Sequence, residues 1–569
     1  MSSKNISFDQ IPSSIRKPGK YFEFNTKLAV RTLPQNRQEL LIVGQRLAAF
    51  IEGATIEGAG LNDLTSGGAF TGLVTRKMVI QIDGTGTPDT FKWSKDGGKS
   101  WDVETVAITG AAQTLAEGIT ITFGATTGHT SGDKWYFTAY VEPSVAEKVP
   151  TVLFSDVEAA EYFGYGSQVH LMAKAAIEAN AYVALSACTL NDAGAGVAGS
   201  GSLTIDAAAV ASATLTAYIG NQTVQIAVAK DDTAIEIAQA LAIQMQAQPN
   251  LPVTAAVDAA TGAKINLTAK NEGVVGNSIP IAYEVTNAAT TATIVAMSSG
   301  SGDPDVDDAL AEVVSEQYHL IATPYNDQTS LETLRDHLDL VSGPLEQRPS
   351  VGVYGHAGAL AEATTLAGNI NHGRILNAYL RNTKSLPLEI AGAMASVLAF
   401  EEDPARPLNT LELKKIHAPA IDDRLSRTEQ ESCLYNGVAP LEVGPGEKVQ
   451  IVRAISTYIK DGQGIDDISL LDITTIRTLD YVRKACRERV ALRFPREKLS
   501  TKTPPKVKSE LLDVLFKLED LEIVEEVDAN KDGLIVEKDL QDPNRLDAKI
   551  PVDVVNGLHV FAGRIDLLL

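Results

Sequence analysis

The sequence predicts a mixed α/β (α+β) fold: a discontinuous core with a mixed central sheet, two inserted modules, and an extended arm at each end. Three observations predict it. Strand and helix patterns alternate over 146–190 and again after residue 301, as in a sheet with helices on its faces. Residues 53–141 are rich in Gly and Thr and show short alternating runs, which indicate an all-β, sandwich-like module. A Gly-Ala-Ser linker, NDAGAGVAGSGS, marks the start of a small α+β module.

The composition limits the classes of protein to which the chain can belong. Its 569 residues imply three to four domains at about 150 residues each. The formal net charge of −23 argues against a general nucleic-acid binder, which needs basic surface. The three cysteines, Cys188, Cys433 and Cys486, are too few and too scattered for a disulfide framework or a zinc site, so we expect reduced thiols.

Targeting and membrane signals are not evident. No apolar run follows a basic start, which predicts a chain without a signal peptide. The longest apolar stretch, near 390–400, is shorter than the roughly 20 residues of a membrane span. We therefore expect a soluble intracellular product without a transmembrane segment.

The two ends of the chain predict extended arms that add strands to neighbouring subunits. Residues 1–25 alternate apolar and polar positions, but Pro12 and Pro18 interrupt them, so they cannot form a compact hairpin alone. Residues 558–569 predict a strand whose two faces are both largely apolar, and such a strand needs cover on both faces. The residues expected to bind neighbours are Ile6, Phe8, Ile11, Tyr21, Phe22 and Phe24 in the first arm, and Leu558, Val560, Phe561, Ile565 and Leu567 in the second.

Between the arms, the patterns predict elements in chain order. Residues 40–47 form a buried strand, and 150–154 form another, followed by a helix that Ser155 caps. A helix over 233–248 dominates the α+β module. The expected segments are 1–25 (arm), 26–52 (core), 53–145 (all-β module), 146–190 (core), 191–300 (α+β module), 301–557 (core) and 558–569 (arm).

The last core segment predicts a mostly parallel sheet, because its helices and strands alternate. After Thr474 a basic helix is expected, then a second helix and a hairpin. The expected bounds are helices at 305–317, 329–340, 358–369 and 507–520, strands at 318–323, 350–354 and 374–379, and the hairpin at 522–540.

Two patterns resemble known sequence motifs. Residues 94–101, SKDGGKSW, fit an Asp-box turn, in which Asp96 and the glycines shape a hairpin and perform no catalysis. Residues 528–539 resemble a calcium-binding EF-hand loop, with oxygen ligands Asp528, Asn530, Asp532 and Asp539. Asp at the last position is one methylene shorter than the usual Glu, and the flanks read as strands, so a plain hairpin is the favoured prediction and calcium binding the alternative.

Nothing in the sequence predicts an enzyme. No phosphate-binding loop, Gly-x-Ser-x-Gly motif or pair of histidines at metal-ligand spacing is present. His356 and His417 are expected to be structural or exposed, and His559 has no evident partner. No cofactor is expected.

One charged stretch stands out from the acidic chain. Residues 474–508 hold eleven Lys and Arg against three acids. On a helix, Leu479, Val482, Cys486 and Val490 share one face, and Arg477 and Lys484 point away from it. The stretch is either a solvated helix that balances the protein's own acids or a contact surface for an acidic partner.

Several motifs occur in the order found in one known family. They are SFDQIPSSIRKPGKYFEF at 7–24, LIVGQRLA at 41–48, EYFGYGSQVHLMAKAA at 161–176, PVTAAVDAATGAKINLTAKNEGVVGNSI at 252–279, DPARPLNTLEL at 403–413 and LIVEKDLQDPNRLDAKIPVDVVNGLHVFAG at 534–563. Together they resemble the tail sheath proteins of Mu-like contractile-tailed bacteriophages. The module at 53–145 has no counterpart in that pattern.

The resemblance implies a function and a set of partners. It implies a virion subunit, present in the host cytoplasm before assembly, that polymerises as stacked hexameric rings around a tail tube. It implies contraction from a metastable extended state, which drives the tube through the host envelope. Further implied partners are baseplate and tail terminator or neck proteins, with no direct nucleic-acid contact. By the same resemblance, the tube-facing candidates are Arg477, Arg483, Lys484 and Arg487.

Two alternatives from other classes stay open at this point. The Thr- and Gly-rich β-modules are also typical of a surface adhesin or array protein, for which a signal peptide would be expected. A calcium-binding protein would use the loop at 528–539.

Overall fold

The structure is a computed structural model in which residues 33–568 are described, together with Lys17 and Lys20. The chain divides into two compact units. The core unit comprises Arg37–Ile476 and Gly557–Leu569, and the C-terminal unit comprises Met1–Asn36 and Arg477–Asn556. The segment expected as one core piece at 301–557 is therefore divided after Ile476. Among the described helices, none combines the length and apolar character needed to cross a bilayer.

The core unit opens with strand β1 (Glu39–Gln45), whose residues after Glu39 are all buried. Nine short strands follow and form two sheets that share one hydrophobic cluster around Trp135, Phe91 and Phe123. The six-stranded sheet contains β2, β3, β5, β6, β7 and β10, and the three-stranded sheet has the order β4-β9-β8. These strands are β2 (Phe50–Ile51), β3 (Thr55–Glu57), β4 (Leu64–Gly68), β5 (Arg76–Gly84), β6 (Thr90–Ser94), β7 (Val103–Ala107), β8 (Gln113–Thr114), β9 (Ile119–Phe123) and β10 (Lys134–Tyr140).

The chain then returns to the central sheet through two helices with side-chain caps. The Ser155 side chain accepts a hydrogen bond from the Glu158 N–H, as the sequence predicts, and Ser167 caps the next helix in the same way. The elements are β11 (Thr151–Leu153), α1 (Asp156–Phe163), α2 (Gln168–Ala179) and β12 (Ala184–Leu190).

Residues 198–298 form two further sheets and one helix. A capping box between Thr233 and Glu236 starts the helix, and its buried residues include Leu241 and Met245. The elements are β13 (Ala198–Ile205), β14 (Ala213–Ile219), β15 (Gln222–Val228), α3 (Ala234–Gln246), β16 (Val253–Val257), β17 (Lys264–Glu272), β18 (Ile281–Val285) and β19 (Ala292–Ser298).

The rest of the core unit completes an eight-stranded sheet of order β11-β12-β1-β20-β21-β22-β23-β24. The pairs from β12 to β23 are parallel, and the two outer strands run antiparallel. The added elements are α4 (Asp307–Val313), β20 (Leu320–Thr323), α5 (Gln328–Ser342), β21 (Val351–His356), α6 (Leu360–Ile370), β22 (Ile375–Tyr379), α7 (Pro387–Phe400), α8 (Arg427–Tyr435), β23 (Ala439–Gly444) and β24 (Lys448–Ile451).

Helices cover both faces of this central sheet. A Cβ at Gly352 would contact Leu334 and Leu338 of α5, whereas a Cβ at Gly355 would lie 1.9 Å from the Pro387 carbonyl oxygen of α7. Because residues three apart in a strand point to opposite faces, α5 and α7 lie on opposite sides. Every residue of β20, β21 and β22 is accordingly buried. The mixed α/β fold with several sheets is confirmed.

A buried lysine connects three segments of the core unit. The Lys270 Nζ on β17 donates to the carbonyl oxygens of Pro249 (2.7 Å) and Tyr165 (3.1 Å), and lies 5.1 Å from the centre of the Tyr140 ring. Burial lowers the pKa of Lys270 to about 8, and burial raises the pKa of nearby Glu52. The lysine therefore fixes the two inserted segments against the loop between α1 and α2.

The C-terminal unit has its own hydrophobic cluster, in which Leu511, Val514, Leu515 and Leu518 pack on Val482 and Cys486. A self-contained cluster explains why these residues separate from the central sheet. The elements are α9 (Ile473–Arg493), which spans the division between the units, α10 (Thr503–Asp520), β25 (Val524–Glu525), α11 (Val527–Asn530), β26 (Ile535–Lys538), β27 (Leu546–Lys549) and β28 (Asp553–Val554).

The prediction of a hairpin at 522–540 is wrong. The strand after α10 pairs with β28, whereas the hairpin joins β26 to β27 through a loop at 539–545. Asp539 forms the turn, because its Oδ1 accepts from the N–H groups of Gln541 (2.7 Å) and Asp542 (2.6 Å). The apolar runs on both sides of 528–533 resemble two strands of one hairpin, although they pair with different strands.

We predict that Gly355→Ala lowers the free energy of unfolding by about 1–3 kcal/mol, because the new methyl group would overlap the backbone of α7. Gly462→Ala is the matched control, since a Cβ there has no neighbour within 4 Å. Chemical denaturation of both variants measures the difference. Equal stabilities would contradict the close packing of β21 on α7.

We predict that Glu389 makes the protein less stable as the pH rises. Burial raises the pKa of this carboxyl to about 8, so the native state retains a proton that the unfolded state releases above the usual pKa of 4.5. Glu389→Gln keeps an acceptor for the Leu386 N–H. The free energy of unfolding should therefore fall less between about pH 5 and pH 8 in this variant than in the unmodified protein. Glu104→Gln, at an exposed position, should leave the slope unchanged.

Candidate functional site

The segment 558–568 is apolar and belongs to no sheet of the described chain. The last strand is β28, so the expected strand does not form within this chain. The exposed fraction of its large apolar residues ranges from 75% to 98%; they are Leu558, Val560, Phe561, Ile565, Leu567 and Leu568. Six such residues within eleven positions form the strongest candidate for a binding segment in the described chain.

The start of this segment is held by the core unit. Gly557 lies against Pro407, and the His559 Nε2 lies 3.7 Å from Asp472 Oδ1. Asp472 also accepts two hydrogen bonds from Arg453, at 2.6 and 2.8 Å. Burial lowers the pKa of His559. No sequence pattern predicts this carboxylate partner, because Asp472 lies 87 residues earlier in the chain.

The predicted binding residues of the first arm, Ile6, Phe8, Ile11, Tyr21, Phe22 and Phe24, lie outside the described residues. The described residues 33–36 pack within the C-terminal unit. The Pro34 carbonyl accepts from the Tyr481 hydroxyl and the Gln35 carbonyl accepts from Lys484 Nζ, both at 2.9 Å.

The hairpin of β26 and β27 is a two-stranded sheet with two open edges, since no third strand of the described chain pairs with it. Its inner side is anchored, because Val536 and Leu546 pack against the hydrophobic cluster of the C-terminal unit. The Lys538 Nζ also donates to the Leu499 carbonyl at 3.0 Å. An anchored pair of strands with free edges can accept further strands.

The basic helix differs from its prediction at two residues, Arg477 and Leu479. Val482 and Cys486 are buried as expected, but Arg477 is only 7% exposed and does not point into solvent. Arg483 forms an ion pair with Asp480 at 3.0 Å, and Lys484 donates to the backbone of Gln35. The predicted face is therefore wrong at two positions: Arg477, expected to point away, is buried, and Leu479, expected on the buried face, is 39% exposed.

Arg489 of the same helix is buried and is neutralised by contacts with α10. Arg489 is 4% exposed and pairs with Asp513 and Glu510 of α10. Exposed cations lie on α9 at Arg487 and Arg493, and continue in the loop after it at Arg496, Lys498 and Lys502. Among the described residues, no ion pair involves the three loop side chains, so the loop extends the basic surface of the helix.

The calcium-loop candidates do not converge in the structure. Asp528 and Asn530 lie on the single turn of α11, where Asp528 pairs with Lys531 at 2.7 Å. Asp532 lies on a following 3-10 turn, and Asp539 caps the hairpin loop. Within the part of the chain that the structure describes, no group of three or more His, Cys, Asp or Glu could hold a metal ion.

The Asp-box pattern forms the hairpin turn that the sequence predicts. Asp96 lies between β6 and β7 and accepts from the N–H groups of Lys99 (2.8 Å) and Ser100 (3.0 Å). The Ser100 hydroxyl bonds its other oxygen at 2.6 Å, and these hydrogen bonds hold the pKa of Asp96 well below its usual range.

A buried histidine near this turn was not singled out by the sequence. The ring nitrogens of His129 lie 3.0 Å from Asp89 and 3.2 Å from Asp63. Its ring is fully buried against Phe123 and Trp135, so it cannot reach a substrate and instead joins three loops.

The position where doubly wound sheets bind ligands is filled by side chains. β1 lies between β12 and β20, and such sheets bind ligands at the carboxyl ends of strands around this reversal. There Asp192 Oδ1 accepts from Gln45 Nε2 (2.6 Å) and Asn271 Nδ2 (2.9 Å), and Gln168 donates to Gln45 (2.6 Å). Burial raises the pKa of Asp192. The network locks the module of 198–298 to the central sheet.

Comparison with known proteins identifies two family domains in this chain. Residues 299–457 match the model of the phage tail sheath protein central domain. Residues 466–567 match the model of the phage tail sheath C-terminal domain. The second match includes the β26–β27 hairpin and nearly all of the exposed apolar segment.

A curated relative extends the match over most of the chain. The chain is 31% identical over 431 residues to the Mu-like prophage FluMu tail sheath protein of Haemophilus influenzae, covering 72% of this chain and 88% of the relative. Among solved structures, the sheath tail protein of Desulfitobacterium hafniense is 14% identical with a TM-score of 0.41, over 73% of this chain and 91% of that one. The sheath tail protein of Listeria innocua is 13% identical with a TM-score of 0.41, over 72% and 89%.

Both family domains and the relative from Haemophilus influenzae agree with the resemblance seen in the sequence motifs. The chain therefore belongs to the phage tail sheath protein family and is a structural component of a virion.

Proposed function

We propose that this protein polymerises around a tail tube as stacked hexameric rings or an equivalent six-start helix. The polymer contracts from a metastable extended state and drives the tube through the host envelope. Family membership favours this function over a surface adhesin or array protein. The single observation that carries the proposal is the exposed apolar segment 558–568, which has no strand partner in the described chain.

The exposed segment favours assembly on energetic grounds. Burial of one large apolar side chain contributes roughly 1.5–3 kcal/mol. A polymer that buries Leu558, Val560, Phe561, Ile565 and Leu567 therefore gains a substantial driving force at every subunit. Backbone hydrogen bonds of an added strand contribute affinity, and the alternating side chains give specificity and fix the register.

The acceptor for these arms is the β26–β27 hairpin of a neighbouring subunit. The hairpin has two open edges, and the chain has two predicted arms, so one arm can pair with each edge. An isolated pair of strands is marginal in water, whereas a sheet of four strands is much more stable. Strand addition therefore stabilises the hairpin and the arm together.

Contraction requires that the arms stay bound to neighbouring subunits while the subunits move relative to one another. The division between the C-terminal unit and the core unit falls between Asn556 and Gly557, immediately before the binding segment. We propose these two residues as the hinge of the second arm, and Pro18 and Gly19 as the hinge of the first. The driving energy is stored in the extended lattice during assembly.

The tube contact is proposed at the basic helix α9, through Arg483, Lys484 and Arg487. Arg477 is buried and is removed from this set. Exposed ion pairs are weak, at about 0.2–1 kcal/mol each, which suits a surface that must release the tube during contraction. Baseplate and tail terminator or neck proteins are the further proposed partners at the sheath ends.

We predict that Val560→Asp combined with Phe561→Asp abolishes polymerisation and leaves a folded, soluble subunit. The reason is that both side chains, at 79% and 86% exposed, contribute nothing to the fold of the single chain. Electron microscopy and sedimentation measure the polymer, and circular dichroism checks the fold.

Leu73→Asp is the matched control for this test. Leu73 is 91% exposed and lies in the inserted β-module, so its substitution should leave tubes intact. Long tubes formed by the Val560→Asp, Phe561→Asp variant would contradict the role of the arm.

We predict that Lys484→Glu with Arg487→Glu reduces co-assembly with tail tube protein while self-assembly persists. Two repulsive contacts replace two favourable ones in every subunit, and their effect multiplies along the polymer. Co-sedimentation with purified tube protein provides the measurement. Lys99→Glu with Lys230→Glu, at exposed sites elsewhere, is the charge-matched control. Unchanged tube binding would remove α9 from the proposed contact.

A further inference from the structure

The edge of the central sheet at β11 is exposed and apolar. β11 pairs with β12 along one edge, and the other edge of β11 has no partner strand among the described residues. Four apolar side chains in 149–157 are 46% to 82% exposed, and Tyr182, 89% exposed, precedes the end of β12 that pairs with Leu153 through Leu185. We define the β11 face as Val149, Val152, Phe154, Val157 and Tyr182.

Acidic side chains flank this face on two helices. Glu161 on α1 and Asp307 and Glu312 on α4 are exposed and form no ion pair within the described chain. Helix α4 is fixed beside the sheet, because the Cys188 Sγ of β12 contacts the Ala309 carbonyl oxygen at 3.5 Å. The nearby cation, Lys148, is already paired with Asp308 at 2.7 Å. The β11 face is therefore an apolar strip with a negative border.

The loop after α9 has the opposite character. Arg496, Lys498 and Lys502 are exposed, and none of them forms an ion pair in the part of the chain that the structure describes. The neighbouring Glu497 is neutralised by Lys506 at 3.0 Å. Leu492 is 74% exposed and Leu499 is half-buried, so segment 492–502 combines apolar side chains with unpaired positive charge.

We propose that segment 492–502 of one copy of this chain docks on the β11 face of the next copy. Both surfaces present apolar side chains together with unpaired charge, and their charges are opposite. Each cation can therefore approach an acid while the apolar groups leave water. A contact between two different surfaces of identical chains is heterologous, and heterologous contacts build rings or helical filaments.

This second contact rests on the proposed polymer but is separate from strand exchange. It uses neither segment 558–568 nor the β26–β27 hairpin. It also differs from the tube contact proposed at α9, because its partner is the β11 face of another copy of this chain and not the tube protein.

A charge exchange tests the proposal. Arg496→Glu with Lys498→Glu should raise the critical concentration for polymerisation by roughly three- to tenfold, and so should Glu161→Lys with Glu312→Lys. The four substitutions combined should restore it to within about twofold of the unmodified protein, because the attractive pairs re-form with exchanged signs. Lys99→Glu with Lys230→Glu is the control and should leave the critical concentration unchanged.

Three outcomes overturn the inference. The combined variant could assemble no better than either double variant, or neither double variant could alter the critical concentration. Either result, with intact tubes from the unmodified protein, rejects this contact and leaves the proposed sheath function standing. Failure of the unmodified protein to polymerise under any condition rejects the proposed function and this contact with it.

Cross-linking distinguishes a second copy from the tube as the occupant. Phe154→Cys with Arg496→Cys should produce disulfide-linked multimers of this chain in the polymer under oxidation, whereas either single variant should not. The native Cys188, Cys433 and Cys486 are all buried, so the background is low. Cross-links from Cys at position 496 to tube protein, in place of sheath multimers, would overturn the proposal.

Discussion

Burial of the central sheet on both faces is the constraint on which the core unit depends. Every residue of helix α7 from Pro387 to Ala399 is buried, and all except Glu389 and Ser396 are apolar or glycine. It packs on α2 closely enough that a Cβ at Gly392 would lie 2.6 Å from the Met172 carbonyl oxygen. Such a helix cannot exist at a surface, so α7 and α5 must enclose the parallel strands. The module of 198–298 contacts the sheet at the carboxyl ends of β1 and β12, through Gln45, Asp192 and Asn271.

The inserted segments are joined to this core by buried polar contacts rather than by apolar packing alone. Lys270 donates to two backbone carbonyls, and Asp192 accepts from Gln45 and Asn271. A buried charge or amide is costly unless its hydrogen bonds are satisfied, so these contacts permit only one arrangement of the segments. In the proposed polymer, one fixed arrangement would give every subunit the same contact surfaces.

The surfaces proposed for assembly have the opposite character, since they are unsatisfied in the single chain. Segment 558–568 is apolar but exposed, the β26–β27 hairpin has open edges, and the loop at 494–502 has cations without ion pairs in the described chain. Each feature is unfavourable or neutral in a lone subunit and becomes favourable in a polymer. These surfaces differ from the networks around Lys270 and Asp192, whose hydrogen bonds are formed within the chain.

The sequence by itself determined the mixed α/β class, the cap at Ser155, the Asp96 turn and the family, because these depend on neighbouring residues or on ordered motifs. It also identified the apolar segment that begins at Leu558. Tertiary structure decided the rest. Pairing of β25 with β28 replaced the expected hairpin at 522–540, and contact with α10 neutralised Arg489. The burial of Arg477 and the contact of His559 with Asp472 likewise depend on packing between segments distant in sequence. Hydrophobic periodicity within one segment cannot predict such contacts.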